Sequence, residues 1–184
     1  MADSCSPIAN RNFLSPNQFK FILKRAPKAA FFSSSGNIPS LKLGVANQPN
    51  YLKTIKQPGD MIEFEDFTFK FMVDENLENY SEIQNWIRGL GYPYSLQQIY
   101  DLQKSRPDLK TNISNQLNLF SDGTLFVLSS NNKVNLQVRF YDMWPYDLTS
   151  LLFDATNSDS QYFTAEVRMK YTYYDIRDGN GNLI

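Results

Sequence analysis

Phe64-Glu65-Asp66-Phe67-Thr68-Phe69-Lys70-Phe71-Met72-Val73 is the stretch that decides how this chain folds. Phe67, Phe69, Phe71 and Val73 share one side of a period-two pattern, and Thr68, Lys70 and Met72 share the other. Alternation of this kind, rich in aromatic residues, is that of a half-buried β-strand with an aromatic core face.

Upstream, Phe19, Phe21 and Leu23 alternate with Lys20, Ile22 and Lys24, which predicts another half-buried strand after Pro16-Asn17. Ala29–Ser33 and Leu41–Val45 read as short edge strands punctuated by Ser34-Ser35-Gly36-Asn37 and Pro39. Ala46–Asp60 is polar, bracketed by Pro49 and Pro58-Gly59, and reads as a loop too long to be a mere link.

Downstream, Asn79 with Glu82 resembles a capping box, and Tyr80, Ile83, Ile87 and Leu90 follow at helical spacing with Trp86 flanking. Gly89 and Gly91-Tyr92-Pro93 are expected to stop that helix. Ser95 with Gln98 predicts a second, short helix before Pro107, and residues 105–118 read as a polar connection. Leu125–Leu128 and Val134–Tyr141 form a predicted hairpin, which Trp144-Pro145 is expected to break.

A short apolar turn at Leu148–Phe153 and the polar run Asn157–Ser160 lead into Tyr162–Tyr174, expected to be one long strand. Phe163, Ala165, Val167, Met169, Tyr171 and Tyr173 occupy its inner face, against Thr164, Glu166, Arg168, Lys170 and Thr172 outside. The tail Asp178-Gly179-Asn180-Gly181-Asn182 is turn chemistry with nothing after it to pair. The expected organisation is an N-terminal arm over 1–18, a β domain over 19–176 and a C-terminal tail over 177–184.

Composition narrows the function. The chain of 184 residues is 42% hydrophobic and 15% aromatic, enough for one folded domain. It contains no histidine, which removes the commonest general base, the commonest zinc ligand and every Ser-His or Cys-His nucleophile. Cys5 is the single cysteine, so neither an internal disulfide nor a thiolate cluster is available. No metal or cofactor site is expected. Lys plus Arg number 18 against 19 Asp plus Glu, which disfavours nucleic-acid readout, and no apolar run approaches a membrane span.

The charge is segregated. Residues 1–56 carry eight bases against Asp3, a net +7, whereas 57–87 carry eight acids against Lys70, a net −7. Such a chain can dock head to tail with its own copies; equally, both segments can face water on adjacent strands. Glu63, Glu65 and Asp66, with their aromatic neighbours, form the rival reading, a carbohydrate-binding or hydrolytic β-sandwich module, which would need a pocket and a raised carboxylate pKa.

In order and motif the chain resembles the tail-tube family of T-even-like contractile phages. The resemblance runs from Phe19 to Tyr174. It rests on Pro58-Gly59-Asp60, on Phe67–Val73 leading into Asp74-Glu75, on the helix with Trp86, on Trp144-Pro145 with Leu151 and Asp154, and on the closing strand to Tyr173.

The resemblance implies a mostly β fold: an antiparallel sandwich or barrel with one or two short flanking helices, closing into a hexameric ring whose inner wall is a continuous sheet. It further implies an inter-ring contact through Gln48, Pro49, Asn50, Tyr51, Lys53, Lys56, Pro58, Gly59 and Asp60, and a tube wall made by Thr164, Glu166, Arg168, Lys170 and Thr172. The implied partners are copies of itself and neighbouring tube, sheath, baseplate or neck proteins, with no membrane and with DNA only as cargo passing through the lumen. The implied place is the virion, after synthesis in the host cytoplasm. The arm, the second helix over Ser95–Lys104 and the polar tail depart from a main tube subunit, so the repeating tube, the baseplate junction and the head-proximal end all stay open.

Overall fold

A computed structural model describes residues 14–105, 119–153 and 162–184. The expectations placed on residues 1–13 of the arm, on the connection 106–118 and on the run Asn157–Ser160 with Asp154 lie outside them.

Strand β1 (Phe19–Leu23) buries Phe21 and Leu23 and exposes Lys20 and Ile22, as its alternation requires. Helix α1 (Pro27–Phe31) then stands where a short strand was expected over Ala29–Ser33. Pro27 fits the first helical turn, where its missing N–H costs nothing, and Ala29 and Ala30 turn inward. An apolar run so short does not distinguish helix from strand by its period. The expected turn at Ser34–Asn37 is strand β2 (Ser33–Gly36).

The expected loop Ala46–Asp60 is corrected most: β3 (Leu41–Pro49) and β4 (Thr54–Phe64) are the two arms of a hairpin. Strand β5 (Phe67–Met72) begins after a break at Glu65-Asp66 and buries Phe67, Phe69 and Phe71 completely.

Helix α2 (Glu78–Gly91) is capped at Leu77, not at Asn79. Asn79 is buried and knots the end of β5 to the helix: its Nδ2 donates to the Met72 carbonyl at 2.8 Å, and its Oδ1 accepts from the Asp74 and Tyr80 N–H groups. Trp86 points into the core and donates its Nε1 hydrogen to the Leu119 carbonyl at 2.8 Å. Gly89, expected to stop the helix, lies inside it, because a Cβ there would sit 2.7 Å from the Leu102 side chain of helix α3 (Gln97–Ser105). Gln98 accepts from the Tyr94 N–H, one residue before the Ser95 position at which the cap was expected.

Strand β6 (Ser121–Leu128) pairs with β7 (Val134–Leu148) as the expected hairpin, but Trp144-Pro145 does not end β7. Pro145 is accommodated beside a bulge, where a missing donor is tolerated. The expected thirteen-residue strand Tyr162–Tyr174 is two strands, β8 (Thr164–Lys170) and β9 (Tyr173–Asp178). The cause is the bend of β7 at Asp142, φ 55°. Tyr141 pairs with Tyr173 before the bend and Trp144 with Lys170 after it, so the partner must break as well. The tail is not free either: Leu183 bridges back to Arg177, and the Ile184 N–H donates to the Ile176 carbonyl.

The main sheet runs β1-β6-β7-β8-β5-β2, with β9 also on β7, every pairing being antiparallel. Bent along β7, it folds its halves face to face around one core. Phe21 meets Phe67 with ring centroids 5.0 Å apart and Phe67 meets Phe140 at 4.7 Å, while α1 and α2 cover one end through Ala29, Ile83 and Trp86. Each fully buried aromatic side chain contributes roughly 1.5–3 kcal/mol. Among the described residues no helix is long and apolar enough to cross a membrane.

Candidate assembly surfaces

The β3–β4 hairpin pairs from Leu41 with Phe64 to Pro49 with Thr54 and turns at Asn50–Lys53, where the Asn50 N–H donates to the Lys53 carbonyl. Gly59 crosses Gly44 so closely that a Cβ would stand 2.7 Å from the Gly44 carbonyl oxygen, which is why Pro58-Gly59-Asp60 is an irregularity within β4 and not a turn. Nine residue steps at about 3.3 Å make the hairpin about 30 Å long.

It is exposed along its whole length, Gly59 and Phe64 alone being partly covered, and it packs extensively on no other element. Leu41, Val45 and Ile62 are 55–59% exposed, and at the tip Tyr51 and Leu52 are 99% and 88% exposed. Both of its outer edges carry unpaired backbone groups. An isolated two-stranded hairpin is marginal in water, and this one gains little packing from the rest of the subunit. Of the sequence-predicted contact residues, Gln48 and Pro49 end β3, Asn50, Tyr51 and Lys53 form the turn, and Lys56, Pro58, Gly59 and Asp60 lie on β4.

The second surface is the outer face of β5 and β8. Glu166, Arg168 and Lys170 stand on it with Lys70, Asp66 and Asp147, and Thr164 lies at its edge. Thr172 falls in the break after β8 and does not share this face; its side chain is bonded to Asp142. The charges close on one another: Lys70 on Glu166 at 3.3 Å, Arg168 on Glu166 at 3.3 Å and on Asp147 at 3.9 Å, and Lys170 on Asp66. The Tyr146 hydroxyl donates to Asp66 at 2.5 Å. A shallow depression of about 500 Å³ lies between Asn37, Glu65, Asp66, Glu166 and Lys170. β8 is flanked by β5 and β7 and therefore presents its outer face, not an edge, to its surroundings.

The carboxylates of the rival reading are not poised as acids. Burial pushes Asp66 up, but the bonds from Lys170 and Tyr146 outweigh it and hold its pKa below the usual value. Bonds from Lys42 and Ser40 lower Glu65. Glu63 stands out on the hairpin opposite Lys42, away from that depression. A general acid needs the opposite shift. The carboxyl whose pKa is raised is Asp142, through burial and the nearby Asp122, and it sits at the bend of β7. Among the described residues no group of three or more His, Cys, Asp or Glu side chains could hold a metal.

The segregated charges meet partly inside the chain, Lys28 on Glu78 at 2.5 Å and Lys42 on Glu65. Lys53 and Lys56 near the hairpin tip, and Asp74 and Glu75 after β5, enter no ion pair among the described residues. Sequence reasoning missed a groove of about 390 Å³ between α1 and the start of α2, floored by Pro27, Phe31 and Phe32 and rimmed by Asp74 and Glu78. The adjacent Phe31-Phe32, assigned to a strand, was the signal that could have found it.

Comparison with known proteins adds a family and a fold. The model of the family described as phage tail tube protein matches residues 13–177. The tail tube terminator protein of Enterobacteria phage T4 is 24% identical over 147 residues, 77% of this chain and 75% of that protein. A chain of the PVC sheath–tube complex, an extracellular contractile injection system in its extended state, superposes with a TM-score of 0.59 at 14% identity, over 96% of this chain and 99% of that one. A chain of the PVC sheath/tube terminator in the extended state gives a TM-score of 0.59 at 15% identity, over 92% and 99%.

Proposed function

The chain belongs to the phage tail tube protein family, whose model spans residues 13–177, and from that premise we propose that it forms a closed hexameric ring at an end of the tube, as a terminator does. It is a structural protein of a contractile phage tail and a component of the virion. The observation that carries the ring is the hairpin Leu41–Phe64, extended, paired within itself and packed extensively on no other element. Its residues Gln48–Asp60 supply the contact to a neighbouring ring, and tube and sheath proteins are the neighbours. The terminal station is supported by the likeness to the phage T4 terminator over three quarters of either chain.

The outer face of β5 and β8 lines the lumen in this reading, with Thr164, Glu166, Arg168 and Lys170 on its wall. Its cations are already matched by carboxylates, so few are free to displace counterions from passing DNA, and the wall lets DNA slide instead of holding it. Its relatives are structural proteins, and we assign the chain no catalytic role.

Electron microscopy of the purified protein tests the reading. Discrete rings one subunit deep are expected. Long tubes under the same conditions would move the chain from the tube end to the repeating tube, and a protein that stays monomeric at every concentration would overturn the ring altogether.

A further inference from the structure

We propose that residues 178–184 form a strap that closes the outer edge of β9 and keeps the free subunit from adding a strand of a second copy there. The inference goes beyond the ring reading and does not depend on it.

The edge comes first. β9 pairs with β7 along one side only. The N–H and C=O of one residue point to the same side of an antiparallel strand, and successive residues alternate. The Ile176 carbonyl accepts from the Ile184 N–H at 3.2 Å, and the Asp178 N–H donates to the Asn182 carbonyl at 2.9 Å, so Ile176 and Asp178 are the residues whose main chain faces away from β7. Tyr173, Tyr174 and Ile176 are strong strand formers. An open edge of such residues is a template for another chain.

The fastening comes second. After β9 the chain turns back at Gly181, which has a φ of 91° and donates its N–H to the Asp178 carbonyl at 3.0 Å, and Leu183 then bridges to Arg177. The Asp178 carboxylate accepts from the Asn180 and Asn182 N–H groups at 2.9 and 2.8 Å and from Asn182 Nδ2 at 3.3 Å. These bonds, that of the Asn182 N–H foremost, hold its pKa below the usual value. Arg177 projects to the opposite face of the strand, where its Nη1 donates to the Gly181 carbonyl at 3.2 Å and its Nη2 to the Tyr141 hydroxyl at 3.0 Å. Gln137 of β7 donates to the Gly179 carbonyl at 3.2 Å. The strap is therefore clamped from both faces of the sheet.

Its packing points the same way. Leu183 and Ile184 are 67% and 75% exposed, so the strap covers backbone and adds little to the core. A segment held by surface hydrogen bonds alone opens at low free energy, which makes it a guard that can be lifted. It also lies beyond residue 177, where the match to the family model ends.

The test unfastens the strap in the full chain with Asp178→Ala together with Gly181→Val. Nothing stands within 4 Å of a Cβ at Gly181, so the valine acts through the positive φ and not through a clash. Circular dichroism and the unfolding midpoint check that the β domain is kept. Amide hydrogen exchange at Ile184 is expected to rise about tenfold over the parent as the surface hydrogen bonds are lost. Association through the edge scales with the population of open subunits, so light scattering at equal concentration should also grow about tenfold faster. Adding Ile176→Pro, which removes an outward N–H and no bond to β7, should return that rate to the parent's. Where proline itself disturbs β9, Ile176→Lys takes its place and sets a charge on the edge. Unchanged exchange at Ile184 overturns the strap. A variant that opens but associates no faster than the parent overturns its role as a guard, and faster association that neither substitution at Ile176 reverses overturns the edge as the place of contact. All of these readings compare variant with parent, so they hold whether or not the parent forms rings.

Discussion

The chain contains two kinds of β-sheet, and they differ in where their partner is found. In β5 and β8 every second side chain is sealed: Phe67, Phe71 and Val167 are 0% exposed, while Lys70 and Arg168 between them face out. In β3 and β4 the strands pair from base to turn with one irregularity, yet Leu41, Leu43, Val45 and Ile62 are all more than half exposed. The first pair completes its packing inside the subunit; the second has backbone order without packing, and in water such order is marginal. A protein whose subunit were its final form would not keep both. The contrast marks the hairpin as the part of the fold whose packing is not completed within the subunit.

The largest effect that could break this comparison is a charge in the sealed sheet. Val167→Asp places an unpaired carboxylate in the core and is expected to cost about 3–5 kcal/mol. For a domain of this size that lowers the unfolding midpoint by roughly 6–20 °C. On the opposite face of the same strand, Glu166→Gln and Lys170→Gln are expected to stay within about 0.5 kcal/mol. Thermal unfolding of the three decides it, since equal losses would mean that the strand is buried on both faces. Acid should reveal the outer pairs: Asp66, Glu65 and Glu78 have lowered pKa values, so the stability they add is present above the ordinary carboxylate range and lost as pH falls through their lowered values.

A smaller effect on stability, with a large one on assembly, is expected from shortening the hairpin. Removing Ala46–Gln57 and joining Val45 to Pro58 through an Asn-Gly turn deletes residues that are all exposed and pair only with each other. The unfolding midpoint should move by no more than about 2–4 °C, equivalent to about 1 kcal/mol, while sedimentation shows assembly weakened relative to the full chain. Loss of the cooperative transition would show that the hairpin belongs to the subunit's own packing.

The same contrast explains which parts were legible in the sequence. Phe67-Thr68-Phe69-Lys70-Phe71 and Ala165-Glu166-Val167-Arg168-Met169 announce themselves because one face is buried within the chain and selection of apolar residues follows that face. In the hairpin, Leu43 and Val45 alternate with Gly44 and Ala46, and the opposite arm mixes Ile55 with Gln57, Pro58 and Gly59. Its faces are not satisfied inside the subunit, so no internal period records them, and it reads as a loop. The order of motifs nevertheless singled it out as the segment expected to make a contact. The break between β8 and β9 was hidden for another reason: Met169, Tyr171 and Tyr173 continue the alternation across it, and the interruption comes from the bend in β7, a tertiary cause. Lys28 and Lys42 show the limit of charge patterning, because part of what looked like intermolecular segregation closes as Lys28 on Glu78 and Lys42 on Glu65. The groove at Phe31 and Phe32 needed α1, and a five-residue helix leaves almost no periodic signal.

The smallest expected effect concerns the bend at Asp142, where the internally satisfied sheet is least well satisfied. Asp142 has a left-handed backbone, and its carboxyl is raised by burial and by Asp122, with a bond from Thr172 opposing the rise. A carboxyl whose folded pKa lies above its unfolded value destabilises the fold while ionised, and the loss is recovered as pH falls through the raised folded value. Asparagine accepts the same backbone as readily, keeps an oxygen for Thr172 and carries no charge to repel Asp122. Asp142→Asn should therefore raise the unfolding midpoint at neutral pH by a degree or two, corresponding to about 0.5 kcal/mol. The gain should vanish toward pH 4, near and below the range in which an ordinary carboxyl becomes protonated. A lower midpoint at neutral pH would show that the negative charge supports the turn of β7, and that the bend, unlike the hairpin, is satisfied wholly from within.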